Sequence, residues 1–279
     1  MKRLRGVTLI ELLVVVAVIA LLLAVITPSL KTVQEKASLI KCANNQHQVV
    51  LAVSGYASEW HGRLPEPVSV VGTPNVLWRT SDVTAGESVQ DAHSSLGNYL
   101  ESSEVYNCPL ANFAKDEKSL SGRSYQDHYT DPYNGDLSVL FCSYQLLWNY
   151  DSFNPVLTSG LRNGLASPFA GASKRSKNKI VICEAMSFTD DITENGMFSD
   201  TWASPHRFEG SSKNDESGFP FFFREGNSVD DIDNDASLRQ IRLNAGYIDG
   251  RVERYVAGDT FKAQISARTT SMLIPKSWK

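Results

Sequence analysis

Gly6-Val7-Thr8-Leu9-Ile10-Glu11, followed by the uncharged run LLVVVAVIALLLAVITPSL from Leu12 to Leu30, decides how this chain is built. The run places nineteen residues between Glu11 and Lys31. A helix rises about 1.5 Å per residue, so that length spans roughly 28 Å, close to the thickness of a bilayer core. Three cations, Lys2, Arg3 and Arg5, precede it with no acid among them. Such a basic flank stays on the cytoplasmic side, and the bulk of the chain is expected across the membrane. A cleaved secretory signal would have a shorter apolar region and a small-x-small site after it. Here the run ends in Thr27-Pro28-Ser29-Leu30. An ordinary uncleaved anchor fits the hydropathy but leaves Glu11 unexplained, because a carboxylate inside an apolar segment is costly and marks function.

Whole-chain averages conceal this asymmetry. Mean hydropathy is −0.22, a value that excludes a polytopic membrane protein. The net charge of −4 gives no electrostatic support for a nucleic-acid partner. With 279 residues the chain is long enough to bury a substantial core. Four cysteines are too few for a disulfide scaffold and enough for one or two bridges.

The string Gly6 to Glu11, with the basic leader and the long apolar helix, resembles the processing site of type IV pilins and type II secretion pseudopilins. Val7 stands where that family usually has Phe. The resemblance implies that a prepilin peptidase cuts between Gly6 and Val7 and methylates the new amino terminus at Val7. It implies residues 1–6 as a leader and 7–30 as a transmembrane and filament-core helix. Glu11 would then neutralise the α-amino group of a neighbouring subunit, since paired buried charges cost far less than isolated ones. The implied partners are other pilin or pseudopilin subunits, the peptidase, an inner-membrane assembly platform and the lipid bilayer. The implied location is the inner membrane, single-pass, with the amino terminus cytoplasmic and the C-terminal domain periplasmic or extracellular. Pro28 removes a backbone donor and is expected to kink or loosen the helix. Pilins often carry a proline at this point.

Helical periodicity continues beyond Pro28. Leu39, Cys42, Val49, Val53, Tyr56 and Trp60 form a stripe that Ile40, Ala43, Val50 and Ala57 widen. The spacing predicts an amphipathic continuation over 31–61, ending near Gly62 with Pro65 beyond. From 62 to 279 short apolar runs alternate with Gly, Pro, Ser, Asn and Asp clusters, which reads as an exported β-rich domain. Leu137–Trp148, Lys179–Ala185 and Asn244–Tyr255 read as strands, the last as a hairpin with Asp249-Gly250 as a two-residue turn. The segments Glu101–Arg123 and Glu209–Gln240 read as loop-rich. The expected class is α+β: a long N-terminal helix packed on an antiparallel sheet with loop insertions.

A second resemblance covers much of this domain. Lys41-Cys42-Ala43-Asn44-Asn45-Gln46, Leu64-Pro65, Cys108-Pro109, Ser143-Tyr144 and Asp249-Gly250 occur in the order seen in a large pseudopilin-like family of Planctomycetes and Verrucomicrobia. That family ends in a histidine-to-Asp-Gly signature. His206 is the candidate counterpart, although it precedes Asp249 by 43 residues, far more than the family's spacing, so the stretch between reads as an insertion. Arg251 stands where the family has a histidine.

Export places the cysteines in an oxidising compartment. Cys42 could staple the helix to Cys108, and Cys142 could pair with Cys183 across adjacent strands; the alternative is buried free thiols. The cysteine spacings are not those of a zinc site. In the acidic run 230–235, Asp231, Asp233 and Asp235 could offer oxygens to Ca²⁺, and major pseudopilins often bind calcium near the C-terminus. Ala236 occupies the place of the loop glycine and Arg242 that of the final Glu, which favours a solvated acidic loop. No other cofactor is implied. The sequence has no G-x-S-x-G, H-E-x-x-H or phosphate-binding glycine loop, and the histidines at 47, 61, 93, 128 and 206 show no ligand spacing, so no enzymatic activity is expected. Asp127-His128 is too common a pairing to signify a triad by itself. Phe219 to Phe223 reads as core, with a partner surface as the alternative. The expected function is filament assembly; the alternative is a membrane-anchored binding module at a filament tip or standing alone.

Overall fold

One helix, α1, runs from Leu9 to Glu59 in the computed structural model, and everything ordered around it follows from where its surface is apolar. The structure describes residues 9–65, 76–79, 90–91, 95–100, 102–111, 139–148, 179–189, 200–213, 221–264 and 270–276. Gly6, Val7, His93, Asp127, His128 and Phe219 therefore lie outside the described residues. The chain divides into two units, Met1–Ile40 and Lys41–Lys279.

In the first unit, α1 is apolar all round. Its large side chains from Leu9 to Ile26 are between 51% and 78% exposed. A continuous apolar surface of this size requires lipid or a partner. Glu11 sits in the first turn, where a carboxylate complements the helix dipole. The helix continues through Pro28. Pro28 supplies no N–H to the carbonyl one turn earlier. Around that point the Thr27 and Ser29 hydroxyls donate to the carbonyls of Leu23 and Ile26, each at 2.7 Å.

The second unit begins at Lys41, so α1 contributes its last turns, 41–59, to the globular domain. Cys42, Asn45, Gln46, Val49, Val50, Ala52 and Val53 form one buried face. This corrects the predicted stripe at both ends: Ile40 and Trp60 are exposed, while Asn45 and Gln46 are buried. Trp60 instead stacks on Tyr56 with ring centroids 5.6 Å apart. The helix stops where His61 and Gly62 turn to positive φ, and Gly62 returns its N–H to the Ala57 carbonyl.

Among the described residues three antiparallel sheets follow, where a single sheet was expected. The smallest joins β1 (Val76–Arg79), β2 (Gln90–Asp91) and β3 (Val139–Phe141) in the order β2-β1-β3. A second joins β4 (Gln145–Leu146), β5 (Ile180–Cys183), β10 (Arg242–Tyr247) and β11 (Val252–Val256) in the order β11-β10-β5-β4. The run 137–148 is thus broken into β3 and β4 by Cys142 to Tyr144. The third sheet joins β6 (Ser187–Thr189), β7 (Thr201–Ser204), β8 (Ser212–Lys213), β9 (Phe222–Glu225), β12 (Thr260–Gln264) and β13 (Thr270–Pro275), ordered β12-β13-β6-β7-β9-β8.

The stretch Glu209–Gln240, read as a loop-rich insertion, supplies β8, β9 and two short helices, α2 (Asp231–Asn234) and α3 (Ala236–Arg239). It is a structural part of the third sheet, because β9 pairs with β7 along four residues. Phe221 and Phe222 are buried there, as core.

Two apolar cores result. One packs the α1 face and Leu96, Tyr106 and Tyr144 against Val181 and Ile182 of β5. The other gathers Phe188, Trp202, Phe222, Phe261 and Ile274 around Leu243, Ala245 and Tyr247 of β10. Strand alternation explains the division at β10: Leu243, Ala245 and Tyr247 enter the second core, whereas Asn244 and Gly246 meet α1. Burying a valine such as Val49, Val50 or Val53 contributes about 1.5–3 kcal/mol, so this face suffices to hold α1 on the sheet.

Candidate functional site

The buried face of α1 carries polar groups that reach the chain at distant points. Asn45 Nδ2 donates to the Asn107 carbonyl at 2.9 Å, and Gln46 Nε2 donates to the Asn244 carbonyl at 3.3 Å. The exposed ring of His47 places Nδ1 2.8 Å from the Gly250 carbonyl, which it reaches as an N–H donor. Each bond ties a polar side chain of the helix to a carbonyl far away in sequence.

Cys42 is joined to Cys108 by a disulfide, Cα to Cα 5.0 Å. The Cys108 end is fixed from below. A 3₁₀ turn, Ser103–Tyr106, is capped by Ser102, whose hydroxyl accepts from Glu104 N. Cys108 N then donates to Ser143 Oγ at 2.6 Å. The Tyr144 hydroxyl lies 3.5 Å from the Cys42 carbonyl.

Beside this disulfide stand two buried ionisable groups, Glu184 and His206. His206 follows β7, and its N–H is received by Ser204 Oγ at 3.2 Å. Its ring is oriented by the Arg242 carbonyl, 2.7 Å from Nδ1, so Nδ1 carries a hydrogen and donates it. The other ring nitrogen, Nε2, lies 3.3 Å from Cys108 Sγ and 3.3 Å from Glu184 Oε1. Glu184 follows β5. Its Oε2 accepts from Asn244 N at 2.8 Å and Asn244 Nδ2 at 3.1 Å, while Oε1 has no partner in hydrogen-bond geometry. The Tyr255 hydroxyl donates to the Glu184 carbonyl. Burial opposes charging of the imidazole, but the Glu184 carboxylate and the Arg242 carbonyl outweigh it and hold His206 above its ordinary pKa. The disulfide therefore lies against the buried His206–Glu184 pair.

The pieces of the second sequence resemblance thus converge. Cys42 and Asn45, Cys108, Ser143 and Tyr144, and His206 meet in one place, although His206 and Cys108 are 98 residues apart. Asp249-Gly250 joins them only through His47. Glu184 was missed by the sequence reading. Its signal was an acid ending the apolar run KIVIC, where an unpaired charge would be prohibitive.

The cysteine pairing Cys142–Cys183 is corrected, and the acidic run takes a definite form. Cys142 and Cys183 are separate buried thiols. Cys183 is paired in register with Gln145 and Ala245, so Cys142, three residues before Gln145, has no place opposite it. Cys142 Sγ donates instead to the Tyr144 carbonyl at 3.1 Å. Burial pushes the Cys142 thiol up to about 12 and raises Cys183 as well. In the acidic run, the three carboxylates do not converge. Asp231 Oδ2 accepts from the N–H groups of Asn227 and Ser228, Asp233 pairs with Lys262 Nζ at 3.0 Å, and Asp235 caps α3 through Ser237 and binds Arg224 at 2.6 Å. The run forms α2 and the N-cap of α3: Asp231 holds the preceding loop, Asp233 pairs with Lys262, and Asp235 caps α3.

Residues 1–27 match the family model described as the prokaryotic N-terminal methylation motif, the processing signal of type IV pilins and pseudopilins. No curated protein and no solved structure gives a match. The match covers the amino-terminal segment alone, and among the described residues that segment leads into one apolar helix of a length and composition able to cross a membrane.

Proposed function

We propose that this protein is a structural subunit of a type IV pilus-like or pseudopilus filament, processed by a prepilin peptidase between Gly6 and Val7. The observation that carries this reading is the coincidence of the methylation motif over residues 1–27 with an apolar helix surface exposed from Leu9 to Ile26. Before assembly that surface lies in the inner membrane, with the basic leader on the cytoplasmic side. After assembly it packs against the helices of other subunits. The new α-amino group at Val7 then meets Glu11 of a neighbour, a pairing that fixes the axial register between subunits. The role is one of assembly and not of catalysis.

Mass spectrometry of the mature chain tests the processing: it should begin at N-methylated Val7, and an intact Met1 would refute it. Replacing Glu11 with Ala tests the assembly. Cleavage should persist while filaments fail to form; normal filaments from E11A would rule out the charge pairing. A chain that is cleaved but never enters filaments, even as wild type, would make it a membrane-anchored binding module instead.

A further inference from the structure

We propose that the pocket at Cys42, Cys108, Glu184 and His206 is a redox-gated zinc site: a disulfide when oxidised, a Cys₂HisGlu metal centre when reduced. The four candidate ligand atoms all lie within 4.8 Å of one another, and all four residues are buried. Tetrahedral zinc, with Zn–S near 2.3 Å and Zn–N or Zn–O near 2.0–2.2 Å, separates its ligand atoms by roughly 3.2–3.8 Å. The two contacts of His206 Nε2, to Cys108 Sγ and to Glu184 Oε1, are both 3.3 Å and already lie on that scale. The two sulfurs must move apart, and breaking their bond permits it.

The surroundings are arranged as a metal's outer shell would be. A metal-bound histidine donates its remote N–H to a carbonyl, and a metal-bound carboxylate is itself held by donors. Here Nδ1 of His206 is engaged by the Arg242 carbonyl, which directs Nε2 at the sulfurs. Oε2 of Glu184 is engaged by Asn244, which leaves Oε1, buried and outside any hydrogen bond, facing the same point. Two acceptors, Nε2 without its hydrogen and Oε1, would repel at 3.3 Å, so a cation belongs between them. In the dithiol form the geometry suits a divalent ion with affinity for sulfur and imidazole.

The chemistry balances with a dithiol as reductant. The Cys42–Cys108 bond takes up two electrons and two protons and gives two thiols, while the reductant becomes a disulfide. Zn²⁺ then displaces both thiol protons and the Nε2 proton, and the lone pairs of two thiolates, Nε2 and Oε1 complete the shell. A disulfide oxidant reverses the step: it takes two electrons from the two thiolates and becomes two thiols, the Cys42–Cys108 bond re-forms, and the ion leaves.

The test uses the full chain in detergent, with Zn²⁺ as the probe. After reduction and removal of excess metal, elemental analysis should find about one zinc per chain, and the oxidised chain should retain none. X-ray absorption at the zinc edge of the reduced wild type should show two sulfur and two nitrogen or oxygen neighbours. That measurement needs no variant. C142A/C183A should keep the metal, whereas H206A and E184Q should bind it at least about 10-fold more weakly. The idea is overturned if the reduced, folded wild type takes up no zinc, if its zinc has no sulfur neighbours, or if H206A and E184Q, folded by circular dichroism, bind as tightly as wild type.

Discussion

Gly246 of β10 lies so close to Val50 of α1 that no side chain fits between helix and sheet. A Cβ at position 246 would stand 2.8 Å from Val50 Cγ2 and 2.9 Å from Ile182 Cγ2. Contacts that short force neighbouring atoms to shift, and overpacking of this kind costs about 1–3 kcal/mol. Gly246→Ala is therefore expected to lower the midpoint of thermal unfolding by several degrees. Trimming the opposing residue in the same chain, G246A with V50A, should cost less than the sum of the two single changes. Strictly additive losses would show that the two residues are not in competition for space.

The Cys42–Cys108 disulfide closes a long loop, with a sequence separation of 66. Cross-links of this span stabilise by about 2–5 kcal/mol, mainly by restricting the unfolded chain. C42S/C108S should therefore unfold at clearly lower guanidinium concentration than the wild type under non-reducing conditions. Coincident unfolding curves would mean that the link contributes nothing to stability.

The remaining thiols are expected to be silent. Cys142 and Cys183 are fully buried, and burial lifts Cys142 to about 12, so neither supplies appreciable thiolate near neutrality. An exposed-thiol reagent added to the native oxidised protein should find none. The same reagent in denaturant should find two per chain, the two cysteines outside the disulfide. Rapid native labelling of either would contradict the burial described.

Asp235 links pH to stability. The Ser237 hydroxyl that donates to it lowers its pKa most; its partial burial works the other way, and Arg224 adds to the lowering, leaving it at about 2. In an unfolded chain an Asp titrates near 3.9. Its contribution is therefore fully present above about pH 4 and is lost as pH falls through about 2. The side chain is 35% exposed, so solvent screening limits the contribution to roughly 1 kcal/mol or less. Comparing D235N with wild type in urea should show a small deficit at pH 7 that closes near pH 2. A deficit equally large at both values would assign the effect to packing and not to charge.

Much of this was legible in the residues, for reasons that differ from element to element. The apolar run to Leu30 and the periodicity beyond it predict α1 well, because helix and membrane both leave a strong local pattern. The hairpin at β10 and β11 was legible too, but its turn was not. Gly250 is at φ 92° while Ile248 and Asp249 keep negative φ, and Tyr247 N donates to the Arg251 carbonyl. That is a three-residue loop with a glycine bulge, where a two-residue turn would need Asp249 at positive φ as well. The polar composition of 209–240 hid β8, a two-residue edge strand that carries little apolar signal, and left β9 visible only through its phenylalanines. The pairing of His206 with Glu184 and Cys108 could not be read at all. It depends on which strands become neighbours, and three residues at 108, 184 and 206 share no local spacing.

Cys42 is the second residue of the globular unit, which begins at Lys41. Any mechanical load drawn through the preceding helix therefore enters the domain one residue before a covalent branch. With the disulfide closed, tension is handed directly to Cys108, and the 66-residue span between the two cysteines is shielded from extension. Pulled from its amino-terminal helix, the oxidised protein should yield less contour length than the reduced one, by that span. The bridge sets the point from which the domain hangs.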